Sequence, residues 1–363
     1  MHKSTETIDF RNMKTFHHSL LILVVILVTA NTTIAQHSQT SSPTAEAEVR
    51  NPLTGVNENI FDPNKNATVA DRIQNKVVAI TGVRFAYPLL QKWIDDYNKI
   101  YPDVQIIIEP RASNDPAQYD ILIEAYEPTD AETKKKRNYI YICRYAILPV
   151  ANNRSAFSKT YSKKGLNQDL IKQIFFHDIF SDKESEEKIK DPFTVYTRLQ
   201  KAGAPITFTK YFGYEQKDIR GKAIAGSDEH LLKAVLRDSI GISYFPVNLI
   251  YDQSTGKPHD GLTVLPVDLN GNGKVNDEEK FYGELSTVIQ QLEEKNQKEL
   301  KNVPIEYLNF SIDKNSASPE AVAFLQWVIQ NGQNSLHSFG FLKPEQSRLE
   351  KEKQDQFILK GKK

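Results

Sequence analysis

Hydrophobic and polar positions between Val77 and Ile108 follow a pattern that predicts two buried strands joined by a helix. Residues 77–80 and 104–108 form short apolar runs, which suit strands covered on both faces. Pro88 stands where the helix would begin, and proline is favoured in a first turn. Apolar residues then recur at helical spacing, at Leu89, Leu90, Trp93, Ile94, Tyr97 and Ile100. The segment therefore predicts a β-α-β unit, the building block of parallel sheets covered by helices.

The rest of the chain continues this alternation of strands and helices. Apolar and β-branched runs predict strands at 119–123, 139–150, 193–198 and 240–244. Helical spacing predicts helices at 166–176, 206–212, 231–236, 287–300 and 318–329. Residues 36–70 are predicted to be a leader or linker, and residues 346–363 a charged and frayed tail. The pattern indicates an α/β fold.

The turn after the first predicted strand is a candidate anion site. It consists of Thr81, Gly82, Val83 and Arg84, and a helix follows it. A helix N-terminus presents unpaired N–H groups and the positive end of the helix dipole, and both attract anions. An ordinary turn without a ligand is the alternative that this stretch alone leaves open.

The segment from Thr81 to Trp93, TGVRFAYPLLQKW, resembles the first loop and helix of the periplasmic phosphate-binding proteins of ABC transporters. Matching segments follow in the same order: LNQDLIKQIFF, IGISY and the helix that leads to Gly332-Gln333. The resemblance implies a two-lobed type II periplasmic binding fold, in which each lobe is a mixed, mostly parallel sheet flanked by helices. Two crossing hinge strands would join the lobes. It places lobe I at 71–148 plus 245–345 and lobe II at 149–244.

The same resemblance implies an anion site built from loops of both lobes. In the third loop, Arg198 and Gly203 match the family pattern of arginine and glycine. Gln200 stands in place of an aspartate, and Ala202 and Ala204 replace a serine and a threonine. Each lost charge-assisted hydrogen bond is worth about 1.5–3 kcal/mol. The backbone donors of this loop are expected to remain.

The other loops also depart from the family. Val83 replaces a hydroxyl residue, and Arg84 adds a charge that the family lacks. Tyr126 aligns with a carboxylate that accepts the proton of phosphate, so Glu124 or Glu127 is expected to take that role. Ser113 lies in the loop that would supply a further hydroxyl donor.

Composition and the N-terminus indicate an exported protein. The 363 residues carry 46 basic and 46 acidic side chains, so a net charge of zero gives no case for nucleic acid binding. Residues 1–35 have the order of a cleaved signal peptide: basic residues, a short apolar run and small residues ending at Ala35. The single cysteine, Cys143, lies in a strand-like run and is expected to be buried. No cysteine stands directly after the apolar run, where a lipid would be attached, so a protein of the periplasm without a lipid anchor is predicted.

A twelve-residue segment, DLNGNGKVNDEE at 268–279, matches the loop that binds calcium in helix–loop–helix proteins. Gly273 falls at the turn position. The predicted oxygen ligands are Asp268, Asn270, Asn272, the Lys274 carbonyl, Asn276 and Glu279. No second loop is found, so Ca2+ would be structural rather than regulatory. An Asn- and Gly-rich turn without metal is the alternative.

The sequence lacks the zinc-protease, nucleophile-elbow and nucleotide-binding motifs, so an enzyme is not expected. The preferred hypothesis is a monomeric solute-binding protein that captures phosphate or a similar oxyanion for an ABC-transporter permease. The alternative is a calcium-stabilised interaction module on the same fold, with another ligand or a protein partner. An Arg198 that faces the cleft would favour the first; a cleft filled by Arg84 paired with Glu124 or Glu127 would favour the second.

Overall fold

The computed structural model describes residues 69–109, 115–126, 131–177, 189–296 and 299–360. The predicted signal peptide (1–35), most of the predicted leader (36–68), Ser113 and Glu127 lie outside these residues. In the described part of the chain, no helix has the length and apolar character needed to cross a membrane.

One mixed sheet organises the described residues, with the strand order β2-β1-β3-β9-β4-β7-β5-β6 and β8 paired to β4. Strand β1 is parallel to β2 and β3, and β5 is parallel to β6 and β7. Strand β9 is antiparallel to β3 and β4, and β4 is antiparallel to β7 and β8. The strands are β1 Val77–Gly82, β2 Gln105–Ile108, β3 Ile121–Glu124, β4 Arg137–Asn152, β5 Thr194–Arg198, β6 Lys222–Ile224, β7 Gly241–Pro246, β8 Leu262–Val264 and β9 Ile305–Asp313.

Helices cover this sheet and connect its parallel strands. They are α1 Val69–Gln74, α2 Tyr87–Asn98, α3 Ala131–Lys136, α4 Ala156–Lys164, α5 Gln168–Phe175, α6 Gly203–Phe212, α7 Asp228–Arg237, α8 Val247–Ile250, α9 Leu285–Glu294, α10 Pro319–Asn331 and α11 Gln346–Lys360. The predicted β-α-β unit is present as β1, α2 and β2, and β1 and β2 pair in parallel.

Strand β4 extends across both halves of the sheet. Its residues 137–146 pair with β9, and residues 147–151 pair with β7. At about 3.3 Å per residue, its 16 residues span roughly 50 Å, more than one lobe requires. We call the side with β1, β2, β3 and β9 the first lobe, and the side with β5, β6, β7 and β8 the second lobe. The long run predicted at 139–150 is thus a strand shared by two lobes, and Cys143 within it is fully buried.

Each lobe has its own packing against the sheet. In the first lobe, α2 buries Trp93, whose ring nitrogen donates to the Gly332 carbonyl at 2.9 Å. In the second lobe, α6 is fixed by aromatic stacking: the rings of Phe208 and Tyr244 are nearly parallel, with centroids 4.0 Å apart. Such pairs add about 0.5–1.5 kcal/mol beyond the area they bury. Because Phe208 and Gly203 lie on the same helix, this stack also helps to hold the first residues of α6 in position against β7.

Two predictions about helices were wrong. The helix predicted at 287–300 ends at Glu294, six residues early. The tail predicted to fray from residue 346 instead forms α11, which packs on β4 and β9. The Arg348 guanidinium lies 3.8 Å from the ring centroid of Tyr141, and its Nε lies 3.6 Å from a Glu352 carboxylate oxygen. Burial raises the pKa of Glu352 to about 7, with Arg348 opposing the shift.

Candidate functional site

A cavity of about 430 Å3 lies where the carboxyl ends of β1, β3 and β5 meet. Ligands of open α/β sheets bind in such positions because the loops that follow parallel strands gather at one edge. Its wall is formed by residues of both lobes: Gly82, Val83, Arg84, Phe85, Ile123, Glu124, Ala125 and Tyr126 from the first, and Arg198, Gln200, Lys201, Ala202, Gly203, Ala204, Gly226, Ser227 and Asp228 from the second.

The first-lobe side is a tight turn followed by helical N–H groups. Gly82 has φ +136°, and a Cβ there would lie 2.0 Å from the Ile123 carbonyl oxygen, so only glycine fits. The Val83 N–H donates to that same oxygen at 3.1 Å. A 3-10 helix, Arg84–Ala86, then leads into α2, and its N-cap Val83 offers no side-chain hydrogen bond. The first N–H groups of this helical segment are therefore available to a ligand.

The second-lobe side begins with α6, whose N-cap Ala202 also supplies no side-chain hydrogen bond. This helix touches the first lobe directly, since a Cβ on Gly203 would lie only 2.2 Å from the Ala125 Cβ. Four residues along the helix, the Thr207 hydroxyl lies 2.7 Å from the Tyr145 hydroxyl and 3.3 Å from the Ala125 carbonyl oxygen. The two lobes are in contact beside the cavity.

Arg198 lies at the carboxyl end of β5 and is held by Asp228, the first residue of α7. One guanidinium Nη is 2.6 Å from an Asp228 carboxylate oxygen, and the two side chains are 13% and 16% exposed. The Arg198 Nε is buried and makes no hydrogen bond to any described residue. The ion pair therefore orients the arginine and leaves its buried Nε–H without a protein acceptor among the described residues.

Asp228 was not among the predicted site residues, because in the loop of Arg198 itself Gln200 stands in place of the aspartate that the resemblance implies. The carboxylate partner comes instead from a different loop, 30 residues later. The sequence does carry a local sign of this helix start, since Ser227 and His230 form a reciprocal capping pair. Gln200 has a different role, because its side-chain oxygen accepts from the Gly226 N–H at 3.3 Å.

Glu124 is the carboxylate at the end of β3. Burial raises its pKa, while the positive charge of Arg137 opposes the shift. Arg137 donates to the Ser311 hydroxyl at 2.9 Å, and that hydroxyl lies 3.5 Å from the Glu124 carboxylate. Burial and the nearby Glu124 also raise the pKa of Tyr126. Although both line the cavity, Glu124 and Arg84 form no ion pair with each other.

The structure places most of the predicted site residues around this one cavity. Gly82, Val83, Arg84, Glu124, Tyr126, Arg198, Ala202, Gly203 and Ala204 all line it. Thr81 does not, because its side chain is fully buried in β1 and hydrogen-bonds to Tyr87. Whether these residues bind a ligand stays a prediction.

Several solved structures are similar to this chain in fold. One is a protein from Clostridium perfringens assigned as a phosphate ABC transporter substrate-binding protein, solved with bound phosphate; the TM-score is 0.55 at 14% identity, over 74% of this chain and all of that one. The type II periplasmic binding fold is thus the fold of this chain. Two further similar structures are an ABC-type phosphate transport receptor from Vibrio cholerae (TM-score 0.49, 11% identity, 74% of this chain and 100% of that one) and a protein assigned as a phosphate-binding protein from Planctomyces limnophilus (0.47, 14%, 78% and 98%). No family model and no curated protein matches the sequence.

The type II periplasmic binding fold explains why the predicted residues meet. In this fold the shared strand β4 holds two lobes edge to edge, so the loops after β1 and β3 face the loops after β5 and β6. The resemblance predicted this fold and the strand that crosses between lobes, and both predictions are confirmed. At 14% identity the likeness concerns the fold, and the ligand has to be argued from the cavity itself.

The backbone of the predicted calcium loop donates hydrogen bonds to two buried carboxylates. Asp268 is 2% exposed and accepts from the N–H groups of Gly271, Asn272 and Gly273 at 2.7–3.1 Å. Glu279 is 5% exposed and accepts from the N–H groups of Leu269, Asn270 and Asn276 at 2.8–3.2 Å. Neither carboxylate forms an ion pair with a cationic side chain in the described part of the chain.

The amide ligands predicted for this loop also accept backbone hydrogen bonds. The side-chain oxygens of Asn270 and Asn272 accept from N–H groups two residues on, and the Asn276 side chain caps a short 3-10 helix, Asp277–Glu279. No cluster of three or more His, Cys, Asp or Glu side chains suited to a metal occurs among the described residues. The oxygen atoms that the loop could offer to a metal therefore belong to two carboxylates, to the side-chain amides of the three asparagines and to the Lys274 carbonyl.

The loop was assigned to the first lobe but contacts the segment between α4 and α5. The Asn167 amide donates to the Gly273 carbonyl at 3.2 Å, and the Leu166 N–H donates to the Pro266 carbonyl at 2.8 Å. A Cβ on Gly165 would lie 2.2 Å from Val275. The loop therefore packs against residues 165–167, which the sequence analysis placed in the second lobe.

Proposed function

We propose that this chain is a solute-binding protein that captures phosphate or a similar oxyanion in the cavity between its lobes. The observation that carries the proposal is the meeting of uncapped helical N–H groups from two lobes with a partly buried arginine that an ion pair orients. The 3-10 helix Arg84–Ala86 and α6 both begin at the cavity wall without a side-chain cap, and Arg198 lies beside them. Backbone N–H groups and an arginine fork are the donors that an oxyanion needs.

The charges of the cavity suit an anion that carries a proton. Arg84, Arg198 and Lys201 are the cations of the wall, and Glu124 and Asp228 are its acids. Asp228 is already paired with Arg198, so it repels an anion less than a free carboxylate would. The raised pKa of Glu124 brings its neutral form closer to neutral pH, and the ionised form can accept a proton from the ligand.

Two observations favour this proposal over an interaction module without an anion. Arg198 lines the cleft, which was the condition set for an anion site. Arg84 and Glu124 do not neutralise each other, whereas a pairing of Arg84 with Glu127 stays untested because Glu127 lies outside the described residues. The fold neighbour from Clostridium perfringens is assigned as a substrate-binding protein, in agreement with a binding role.

Delivery to an ABC-transporter permease completes the proposed role. It requires export, for which the predicted signal peptide is the basis, and a monomer that opens and closes around its ligand. The proposal of closure is supported by the close approach of Gly203 in the second lobe to Ala125 in the first, beside the cavity. The proposed location is the periplasm.

Thermal unfolding with added anions tests this proposal. The purified protein, dialysed free of phosphate, is melted with phosphate, sulfate or chloride at equal ionic strength. A ligand at one hundred times its dissociation constant adds about 2.7 kcal/mol of stability, or roughly 3–4 °C in Tm for 363 residues with an unfolding entropy of about 2.1 cal/mol/K per residue. A rise with phosphate or sulfate over chloride supports the proposal. Equal melting in all three salts contradicts it.

We also propose that the loop 268–279 binds one Ca2+ with a structural role. A carboxylate offers about four lone pairs, and backbone N–H groups use three on each of Asp268 and Glu279. One lone pair remains on each carboxylate and on each of the three amide oxygens. With the Lys274 carbonyl, the loop keeps capacity for the six or more oxygens that calcium requires. Two buried carboxylates without a cationic partner also favour a cation.

The calcium proposal is tested by melting the chelator-treated protein with Ca2+ and with Mg2+. Calcium is expected to raise Tm, and magnesium to raise it less, because Mg2+ demands stricter octahedral geometry. Identical melting with and without Ca2+ at millimolar concentration contradicts the proposal.

A further inference from the structure

Thr207 lies where the two lobes touch beside the cavity, and its hydroxyl group contacts the first lobe. It belongs to α6, one helical turn after Gly203, and its side chain is buried. The Thr207 hydroxyl lies 2.7 Å from the Tyr145 hydroxyl and 3.3 Å from the Ala125 carbonyl oxygen. Both partners belong to the first lobe, since Ala125 follows β3 and Tyr145 lies in the part of β4 that pairs with β9. One hydroxyl group of the second lobe therefore meets two oxygen atoms of the first.

The same helix carries a second buried threonine whose hydroxyl group is used differently. Thr209 donates to the Ile206 carbonyl oxygen at 3.1 Å, within its own helix. Local bonds of this kind are a known pattern for threonine in helices. The Thr207 hydroxyl instead reaches across the boundary between the lobes, so its contacts are lost when α6 moves away from Ala125.

The hydrogen bonds at this contact are complete only while the lobes are together. The Tyr145 hydroxyl donates to the Ala125 carbonyl, which has a second lone pair for the Thr207 hydroxyl. Burial raises the pKa of Tyr145, so its hydroxyl stays protonated at neutral pH and remains a donor. The bond between Tyr145 and Ala125 lies within the first lobe, whereas both contacts of Thr207 cross between lobes. Thr207 is thus the group whose hydrogen bonding depends on closure.

This contact is joined to both sets of N–H groups that are proposed to bind the anion. Thr207 is four residues from the start of α6, or about 6 Å along the helix axis. On the first-lobe side, the Tyr145 ring packs on Phe85 of the 3-10 helix Arg84–Ala86, with ring centroids 5.1 Å apart. The Asn248 amide holds the same segment by donating to the Phe85 carbonyl oxygen at 2.7 Å. A displacement of Thr207 from Tyr145 therefore carries the start of α6 away from the 3-10 helix.

We infer that Thr207 is a positioning residue that holds the cavity closed, through the contacts of its hydroxyl group with Ala125 and Tyr145 of the other lobe. Closure places the first N–H groups of α6 opposite those of the 3-10 helix, and opening separates them. The inference rests on the proposed opening and closing of the lobes and names a residue that controls it. A hydrogen bond of this kind is expected to change the ratio of closed to open protein about 2- to 10-fold.

Thr207→Val removes the hydroxyl group with little change in side-chain shape. Tyr145 keeps its bond to Ala125 in this variant, so no partner at the contact is left as a buried polar group without a hydrogen bond. The matched control is Thr209→Val, which removes a buried hydroxyl from the same helix and leaves the contact between the lobes intact. Thr207→Ser keeps a hydroxyl group and is expected to behave as the unmodified protein.

Distances between spin labels on the two lobes measure the closed and open populations. The labels are attached at Ala156→Cys on α4, which packs on β8, and at Ala323→Cys on α10, which packs on β1. Both positions are exposed. The native Cys143 is fully buried, and burial raises its pKa, so it is expected not to react with the label.

Without ligand, Thr207→Val is expected to raise the share of long distances relative to short ones about 2- to 10-fold over Thr209→Val. Equal distance distributions in these two variants, or an opening that Thr207→Ser shows as well, would overturn the inference. Added phosphate separates the inference from the proposed function. If Thr207→Val opens the lobes but phosphate closes them in no variant, the closing contact is supported and the proposed anion capture is wrong. If phosphate closes every variant and Thr207→Val is no more open than its control, the proposed function is supported and the inference is wrong.

Discussion

The interlobe cavity and the loop 268–279 differ in how their residues are brought together. The loop is twelve consecutive residues, so its candidate ligands are close in space whatever the rest of the fold does. The cavity is assembled from four separate segments around residues 82–85, 123–126, 198–204 and 226–228. The sequence motif is well matched in the loop and poorly matched in the cavity. The fold nevertheless places nearly all of the predicted anion-site residues around one cavity, although their sequence matches the family motif poorly.

This difference shows which donors depend on side-chain identity. In the cavity, the N–H groups of the 3-10 helix at Arg84 and of α6 persist although the hydroxyl residues beside them are lost. In the loop, the backbone N–H groups instead bind the carboxylates of Asp268 and Glu279 and take part of the capacity that a metal would use. A segment that has lost a family's side chains can therefore still offer backbone N–H groups to a ligand. A segment that matches a metal-binding motif can have part of its oxygen ligands occupied by hydrogen bonds from its own backbone.

Removing the Arg198–Asp228 ion pair is expected to weaken anion binding in the cavity and to leave calcium binding by the loop 268–279 unchanged. In the double variant Arg198→Gln/Asp228→Asn, anion affinity is expected to fall about 10- to 100-fold, because one or more charge-assisted hydrogen bonds are lost. Changing both partners avoids leaving a largely buried Asp228 unpaired, which would itself destabilise the fold. Calorimetry against phosphate measures the effect.

The control for this variant is Lys92→Gln/Asp96→Asn, which removes a surface ion pair on α2. It is expected to keep full anion affinity. An arginine variant that binds as tightly as the control would place the anion site elsewhere. The calcium-induced rise in Tm should be the same in both variants.

A substitution that keeps the two lobes apart is expected to have the next largest effect on anion affinity. Gly203→Ala forces a Cβ against the Ala125 Cβ, at 2.2 Å before any adjustment, so the second lobe must retreat. Overpacking of this kind costs about 1–3 kcal/mol, and anion affinity is expected to fall about tenfold because the donors of α6 move away. Gly283→Ala, where a Cβ meets nothing within 4 Å, is the matched control. Equal affinities of the two variants would show that closure at Gly203 does not contribute to binding.

The loop can be altered without touching the cavity. Asp268→Asn is expected to remove the calcium-induced rise in Tm, since calcium loses one of two carboxylate ligands, while phosphate affinity stays within about twofold. Asp277→Asn, on a fully exposed side chain of the same loop, is the control and should keep the calcium response. A calcium response that survives Asp268→Asn would mean that the ion binds at another place.

The smallest expected effect is a pH dependence set by Glu124. Burial raises its pKa above the ordinary value of 4.5, so the carboxyl is neutral at low pH and becomes negative as the pH rises through that raised pKa. A negative charge beside a bound anion weakens binding. Sulfate, which stays doubly charged over this range, is expected to bind more weakly as pH rises, and Glu124→Gln should flatten the profile. An unchanged slope in the variant would assign the effect to another group.

The sequence predicted the scaffold of the site better than its contacts. The β1–α2–β2 unit and the long strand over 139–150 follow from local periodicity, and periodicity reports burial directly. The partnership of Arg198 with Asp228 depends on two loops 30 residues apart, and no local pattern encodes it. The fold of α11 onto Tyr141 was missed for the same reason, because a charged helix with a buried glutamate looks like a solvated tail until its partner strand is known.

The anion site is tested most directly by backbone amide chemical shifts during a titration with phosphate. Perdeuterated, 15N-labelled protein would be followed by NMR, with chelated and calcium-loaded samples compared. Shifts concentrated at the amides of Arg84, Phe85, Gly203, Ala204 and Asp228 would place the anion between the helical N-termini of both lobes, as proposed. Shifts centred on residues 268–279, or confined to one lobe, would contradict it.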